Sequence, residues 1–304
     1  QTIMGKIYQL DVYNNNTLFY FFNTKSKVYL LDQDGKDALD YPFRLSSAAS
    51  AGVAVVDYDN NHDYHFFVPC GNNQIYGYHY SGRPINGWNP RKYLGPVRLP
   101  LQHFRYDGTD YLVVANNNGN IYLMTPRGNV RHKVSTGKRL ISEPEIDFRY
   151  GYPKVVATTI TGRTFIINHK GESWGQKVVK SNPDNDFMTE NVFGSEMQEN
   201  IFLSDNKLKV FNYKHEALFM FENFNGATPS DIFPIRTIGN ATSSIGIFCS
   251  DKNQVYLIQN FKQLHPDFPI PAATPFIVSD LFGGGEKIMV AGGTSGNVVA
   301  YEIR

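Results

Sequence analysis

Only two cysteines occur in 304 residues, Cys70 and Cys249, too few for a disulfide framework or a cysteine-based zinc site. Long apolar runs are missing as well. The longest, such as Ala51 to Val56, fall far short of the roughly 18 to 20 residues that cross a bilayer, so no direct membrane insertion is expected. The formal charge is +1, and without a basic surplus or a known binding module the chain is a poor fit to nucleic acid. Neither H-E-x-x-H nor G-x-x-x-x-G-K-[ST] occurs. The run Gly283-Gly284-Gly285-Glu286-Lys287 leads into a strand pattern where a phosphate-binding loop needs a helix. Nucleophile and phosphate chemistry are expected to have no foothold, and the chain reads as a non-enzyme.

What is plentiful is aromatic: 14% of the chain against 19% charged, a composition suited to wide packed sheets. One phrase recurs through it. An apolar strand, a polar turn and a second apolar strand run plainly over Asp110-Tyr111-Leu112-Val113-Val114-Ala115, Asn116-Asn117-Asn118-Gly119 and Asn120-Ile121-Tyr122. The position of Tyr122 recurs at Tyr29, Tyr76, Phe165, Lys209, Tyr256 and Val299, with spacings of 43 to 47 residues. A glycine follows six residues later at Gly35, Gly82, Gly128 and Gly171, and His215 and Lys262 replace it in the fifth and sixth copies. Short strands with Asn/Gly turns, repeated at this period, describe the blades of a propeller.

The fold class expected is therefore all-β, a seven-bladed β-propeller forming one domain over 1–304. Its blades fall roughly at 5–48, 49–94, 95–140, 141–182, 183–228, 229–272 and 273–304, and the last is expected to lack its outer strand. Cys70 and Cys249 both end second strands, in blades three interfaces apart, so two free and largely buried thiols are expected. The chain opens with Gln1, which fits a removed leader or a piece of a longer protein.

The second copy reads Asp57-Tyr58-Asp59-Asn60-Asn61-His62-Asp63, Phe66-Phe67-Val68, Gly71, Ile75-Tyr76-Gly77-Tyr78, Gly82 and Pro84-Ile85-Asn86-Gly87-Trp88. It resembles repeats of PQQ-like (quinoprotein-type) and FG-GAP-type propellers. Through phrases such as Asp110 to Val114 and Thr274-Pro275-Phe276, the whole chain is similar to C-terminal propellers of large envelope proteins of Bacteroidota. Enzymatic members of the quinoprotein family hold their cofactor with calcium, docking tryptophans in many blades and often adjacent cysteines. This chain has Trp88 and Trp174 alone, and its cysteines are far apart.

Two features carry candidate chemistry. Asp57, Asp59, Asn61 and Asp63 place oxygens at alternate positions, as a calcium loop does, although the run lacks that loop's glycine and is not repeated in the other blades; the competing reading is a polar turn. His62 and His65 beside it read as exposed turn histidines before transition-metal ligands. The second feature is charge. Between Tyr80 and Leu140 ten basic residues, Arg83, Arg91, Lys92, Arg98, Arg105, Arg127, Arg131, Lys133, Lys138 and Arg139, face only Asp107 and Asp110, a net of +8. From Ser181 to Glu222 the balance is −5. Tyr93, Phe104 and Tyr106 interleave with the basic residues as stacking groups or as core.

The expected function is a non-enzymatic protein–protein interaction scaffold of a bacterial cell-envelope or secretion-related assembly, periplasmic or secreted, with no cofactor unless calcium. The partner is expected to be a membrane-associated or envelope protein that meets the basic sector. An anionic glycan suits that sector too, so a glycan-binding or glycan-degrading propeller is one alternative and a quinone-dependent oxidoreductase is another.

Overall fold

The computed structural model describes residues 2–92, 94–148, 151–180, 186–193, 198–212, 214–235, 243–259, 263–279 and 286–303. They fall into two compact units, Gln1–Thr159 with Phe165–Gly175, and Ile160–Thr164 with Gln176–Arg304. The architecture is a seven-bladed β-propeller: seven consecutive antiparallel sheets, each of neighbouring strands in up-and-down order.

Blade one is built from Ile3–Leu10, Phe19–Thr24, Lys27–Leu31 and Phe43–Arg44; blade two from Ala54–Asp57, Tyr64–Cys70 and Gln74–His79; blade three from Gln102–Tyr106, Thr109–Ala115, Asn120–Met124 and Val130–Ser135. Blade four comprises Glu145–Asp147, Lys154–Thr158, Arg163–Asn168 and Ser173–Lys177, and blade five Asp186–Glu190, Glu199–Ser204, Lys207–Phe211 and Ala217–Phe221. Blade six holds Asp231–Ile235, Ser244–Cys249, Gln254–Gln259 and the short pieces Gln263–Leu264 and Ile270–Pro271. Blade seven has three strands, Phe276–Ser279, Ile288–Gly292 and Val298–Glu302, as the repeat count requires. The aligned position is the third residue of the third strand in blades one to six and the second in blade seven.

Blade two departs from expectation. Its outer segment hydrogen-bonds to the third strand at Arg83, Ile85, Trp88 and Arg91, but as isolated bridges, Tyr78 with Pro84 and Ile75 with Arg91, in place of a fourth strand. Pro84 and Pro90 have no N–H to give a ladder, and Gly87 turns the chain at φ +86° between them.

The second strands are apolar almost throughout because both of their faces are covered. In Tyr64–Cys70, Phe66, Val68 and Cys70 pack with blade one, while Phe67 points the other way into the cluster shared with blade three. In Thr109–Ala115, Leu112 and Val114 join blade two, and Tyr111, Val113 and Ala115 join blade four. Within the second unit, Ile245, Ile247 and Cys249 pack with blade five and Phe248 with blade seven. Period-two alternation thus survives, with each face meeting a different neighbour. Each fully buried large apolar side chain contributes roughly 1.5–3 kcal/mol.

Blades one and two, and blades two and three, are also joined by aromatic donors at the residue twelve places after the aligned position. The Tyr41 hydroxyl donates to the Tyr80 carbonyl at 2.6 Å, and Trp88 Nε1 donates to the Pro126 carbonyl at 2.7 Å. Trp88 is 0% exposed. A Cβ on Gly77 would sit 2.6 Å from the Trp88 Cβ, and one on Gly128 would meet its ring at 3.3 Å. Gly128 also has φ +79°, so the recurring glycine serves both the turn and the indole resting on it.

Candidate interaction surface

In an up-and-down sheet the turns after the first and third strands share one end, and those after the second and fourth share the other. The ten cations divide accordingly. Arg83 and Arg127 occupy the turns after the third strands of blades two and three, both exposed, with Arg83 Nε donating to Ser81 Oγ at 3.1 Å. Lys92, Arg98, Lys138 and Arg139 are exposed on the connections at the opposite end. Thr136 Oγ1 fixes the Lys138 loop, its contacts being the carbonyls of Gly119 at 3.0 Å and Lys138 at 2.7 Å. Arg131 and Lys133 project from the outer strand of blade three. The Arg131 guanidinium lies 5.2 Å from the centre of the Tyr111 ring and Lys133 Nζ lies 5.8 Å from that of Tyr122.

Two of the ten do not serve as free surface charge. Arg91 is half-buried, with its Nε buried and without a hydrogen-bond partner. Arg105 is held by Asp110 through Nε at 3.0 Å and Nη2 at 2.8 Å, and by Asp59 through Nη2 at 2.9 Å. These bonds raise the guanidinium's already high pKa. Burial works to raise Asp110, but the bonds from Arg105 and from His103 Nε2, at 2.8 Å, outweigh it and hold the carboxyl below the usual range. Of the interleaved aromatics, Phe104 is core, stacked on Tyr111 at 4.7 Å, and Tyr106 is half-buried 4.7 Å from His169. Tyr93 lies outside the described residues.

The oxygens of the candidate calcium loop are used by the turn itself. Asp57 accepts the N–H groups of Asn61 at 3.1 Å and His62 at 2.9 Å, and Asn61 Oδ1 accepts that of Asp63 at 3.1 Å. Asp59 goes to Arg105, and Asp63 accepts His79 Nε2 at 2.6 Å. Contrary to the sequence reading, this turn does recur. Asp11 accepts the N–H groups of Asn15 at 3.1 Å and Asn16 at 2.8 Å, Asn15 caps Thr17 at 3.0 Å, and positive φ falls at Asn14 and Asn16 as it does at Asn60 and His62. Common to both copies are the capping Asp and Asn and the positive-φ Asn14/Asn60, with one acid shared out of three, which is why one-to-one acid matching misses the repeat. Among the described residues no group of three or more His, Cys, Asp or Glu converges as metal ligands would.

His62 and His65 are half-buried and not the exposed turn residues expected. His62 Nδ1 donates to the Asp11 carbonyl at 2.9 Å, bridging blades one and two. His65 lies on the second strand between the rings of Tyr58 and His79, its pKa lowered chiefly by burial. One string escaped the motif reading altogether: Gly171-Glu172-Ser173-Trp174-Gly175 has the spacing G-x-S-x-G. Ser173 opens an exposed outer strand after a strand-to-strand turn, whereas a nucleophile elbow needs a strand-to-helix turn.

The acidic stretch also divides. Asp184 and Glu196 lie outside the described residues. Glu190 and Glu199 are buried and Asp186 is half-buried, leaving Asp205, Glu216 and Glu222 exposed. Glu222 pairs with Lys207, and Asp205 with Lys209 at 3.3 Å. Both cysteines are free and buried, and burial pushes each thiol up to about 12. No helix among the described residues is long and apolar enough to cross a membrane.

No family model and no curated protein matches the chain by sequence. Solved structures do resemble it in fold. BBS1N in complex with ARL6DN matches over 100% of this chain and 93% of its own, at 13% identity and a TM-score of 0.67 in a mercury-soaked crystal and 12% and 0.70 in a lead-soaked one. BamB from Moraxella catarrhalis matches over 99% of this chain and 100% of its own at 10% identity, with a TM-score of 0.56. At such identities the likeness establishes the propeller fold and nothing about the site.

Proposed function

We propose that this propeller is a non-enzymatic platform for protein–protein interaction in a bacterial cell-envelope or secretion-related assembly, acting as a soluble domain in the periplasm or outside the cell. The observation that carries the reading is the outer strand of blade three. Arg131 and Lys133 are exposed there and held over tyrosine rings, Val130 is exposed beside them, and Arg127 lies on the turn before. Positioned Arg and Tyr groups at a sheet edge are what an acidic protein surface engages, because the rings limit the rotamer freedom lost on binding. Likeness in fold to a propeller crystallised with a protein partner supports the reading, and the envelope setting follows the resemblance in the repeats.

Capture from a native envelope extract tests it. A partner retained at low salt, released at high salt and lost with the double variant Arg131→Glu, Lys133→Glu is expected. No associated protein at any salt concentration, or capture indifferent to the charge reversal, overturns it.

A further inference from the structure

Among the turns after the second strands, an acid appears only in blades five and six. The others read Lys25-Ser26, Gly71-Asn72-Asn73, Asn116 to Gly119, Thr159 to Gly162 and Gly293 to Asn297, whereas blade five has Asp205-Asn206 and blade six Ser250-Asp251-Lys252-Asn253. A repeat needs no carboxylate here, so these two depart from what the architecture asks. Between them, with Thr228, Pro229 and Ser230 of the intervening connection, lies a cleft of about 450 Å³. That is within the range of roughly 300–1,000 Å³ typical of ligand sites.

Leu203, Ser204 and Pro229 are buried lining residues, whereas Asp205, Asn206, Thr228, Ser250 and Asp251 are exposed around them. Ser204 is 2% exposed, and its Oγ is buried without a hydrogen-bond partner. A hydroxyl in that position stabilises nothing in the free chain, since an unpaired buried polar group costs about 1–3 kcal/mol. Asp251 accepts the Thr228 N–H at 3.0 Å on each oxygen, and this bond lowers its pKa, keeping it ionised. The lining residues include no aromatic ring on which a sugar would stack.

The geometry points to a pocket for the guanidinium of an arginine presented by a partner protein, with Asp205 and Asp251 at the rim, the Ser204 hydroxyl inside and Leu203 and Pro229 against the methylene stem. The planar fork of donors suits two carboxylates and a hydroxyl acceptor, and approach of arginine would compete with the half-buried Lys209 for Asp205. The assignment of a protein partner rests on the reading above.

Amide NMR of the intact chain, titrated with N-acetyl-arginine methylamide and separately with its uncharged citrulline counterpart, tests the pocket. Expected are shifts confined to Ser204–Asn206, Thr228–Ser230 and Ser250–Asp251 for arginine, with a Kd on the order of 1 mM, and binding about tenfold weaker for citrulline. Ser204→Ala should weaken arginine binding while leaving the fold as stable as before or more so, and the Asp205→Asn, Asp251→Asn double variant should abolish it. Absence of shifts at the cleft, equal response to citrulline, or unchanged binding by Ser204→Ala overturns the inference; these outcomes decide even if the double variant does not fold. Failure here with envelope capture intact removes the pocket alone. Loss of capture with the titration intact removes the scaffold reading, and with it the protein source of the arginine, but leaves the guanidinium pocket.

Discussion

The two units fill one slot at their blade joints differently, the residue twelve places after the aligned position. In the first, Tyr41 and Trp88 occupy that slot and donate to the next blade's turn, beside the fully buried Asn23, which donates to the Ala51 carbonyl at 3.3 Å and accepts the Val53 N–H at 2.8 Å, and the Arg105–Asp59 ion pair at 2.9 Å. In the second, the same slot after the aligned position holds Phe221 and Phe268, which have nothing to donate, and Phe268 packs on Phe276 at 5.6 Å. The polar links between blades five and six come from elsewhere: the carboxylate of Asp186 accepts Phe187 N–H at 2.8 Å and Ile232 N–H at 3.0 Å, and the Tyr256 hydroxyl donates to the Phe224 carbonyl at 2.7 Å. Tyr41, Trp88 and Phe268 each bury a large ring there. The hydrogen bond follows from choosing a ring that carries a donor, since a buried Tyr or Trp head must be satisfied.

The harshest way to break this comparison is to empty the slot. Trp88→Ala should cost about 3–5 kcal/mol, read as a lower urea midpoint, and Phe268→Ala should approach that figure from the apolar side. A small effect at Phe268 would mean that the second unit does not depend on its ring. Next in size is the carboxylate. Burial raises Asp186 to about 6, helped by Asp231 and partly offset by its two N–H donors. Because the folded value lies above the unfolded 3.8, this group's contribution is full below about pH 4 and is lost as pH rises through 6. Asp186→Asn should therefore flatten the stability profile across pH 4–6, while its single carbonyl oxygen keeps only one of the two N–H bonds, so that the loss of that bond offsets the relief of a buried charge at pH 7. Urea unfolding at several pH values checks both, and an unchanged profile would sink the assignment. The gentlest test is Tyr41→Phe, which makes a first-unit joint resemble a second-unit one. It should lose about 1 kcal/mol, the worth of one hydrogen bond, with the ring's packing intact.

Much of the architecture was legible in the sequence because both faces of each second strand are buried, which writes a dense apolar run followed by a turn at a fixed period. The joints were not. The residue twelve places after the aligned aromatic runs Tyr41, Trp88, Val134, Lys177, Phe221, Phe268, too varied to read as one role until the slot is seen. Prolines cost blade two its outer strand, which an apolar pattern alone does not report. The site was legible only as composition. A tally of charges along 80–140 does not say that Arg105 is consumed by Asp59 and Asp110, or that Arg91 turns inward. Nor does it say that Lys138 and Arg127 emerge at opposite ends of one sheet. Asp57 to Asp63 looked like a metal loop because an Asp/Asn turn and a metal loop draw on the same oxygens; only the N–H groups that those oxygens accept separate the two.

Cys70 and Cys249 occupy matching places in blades two and six, one in each unit, and both are sealed and hard to ionise. They are a pair of built-in stopwatches. An alkylating reagent can reach either sulfur only when its own blade breathes, so the two labelling rates, read by mass in one tube, would time the opening of each half of the chain separately without any engineered probe.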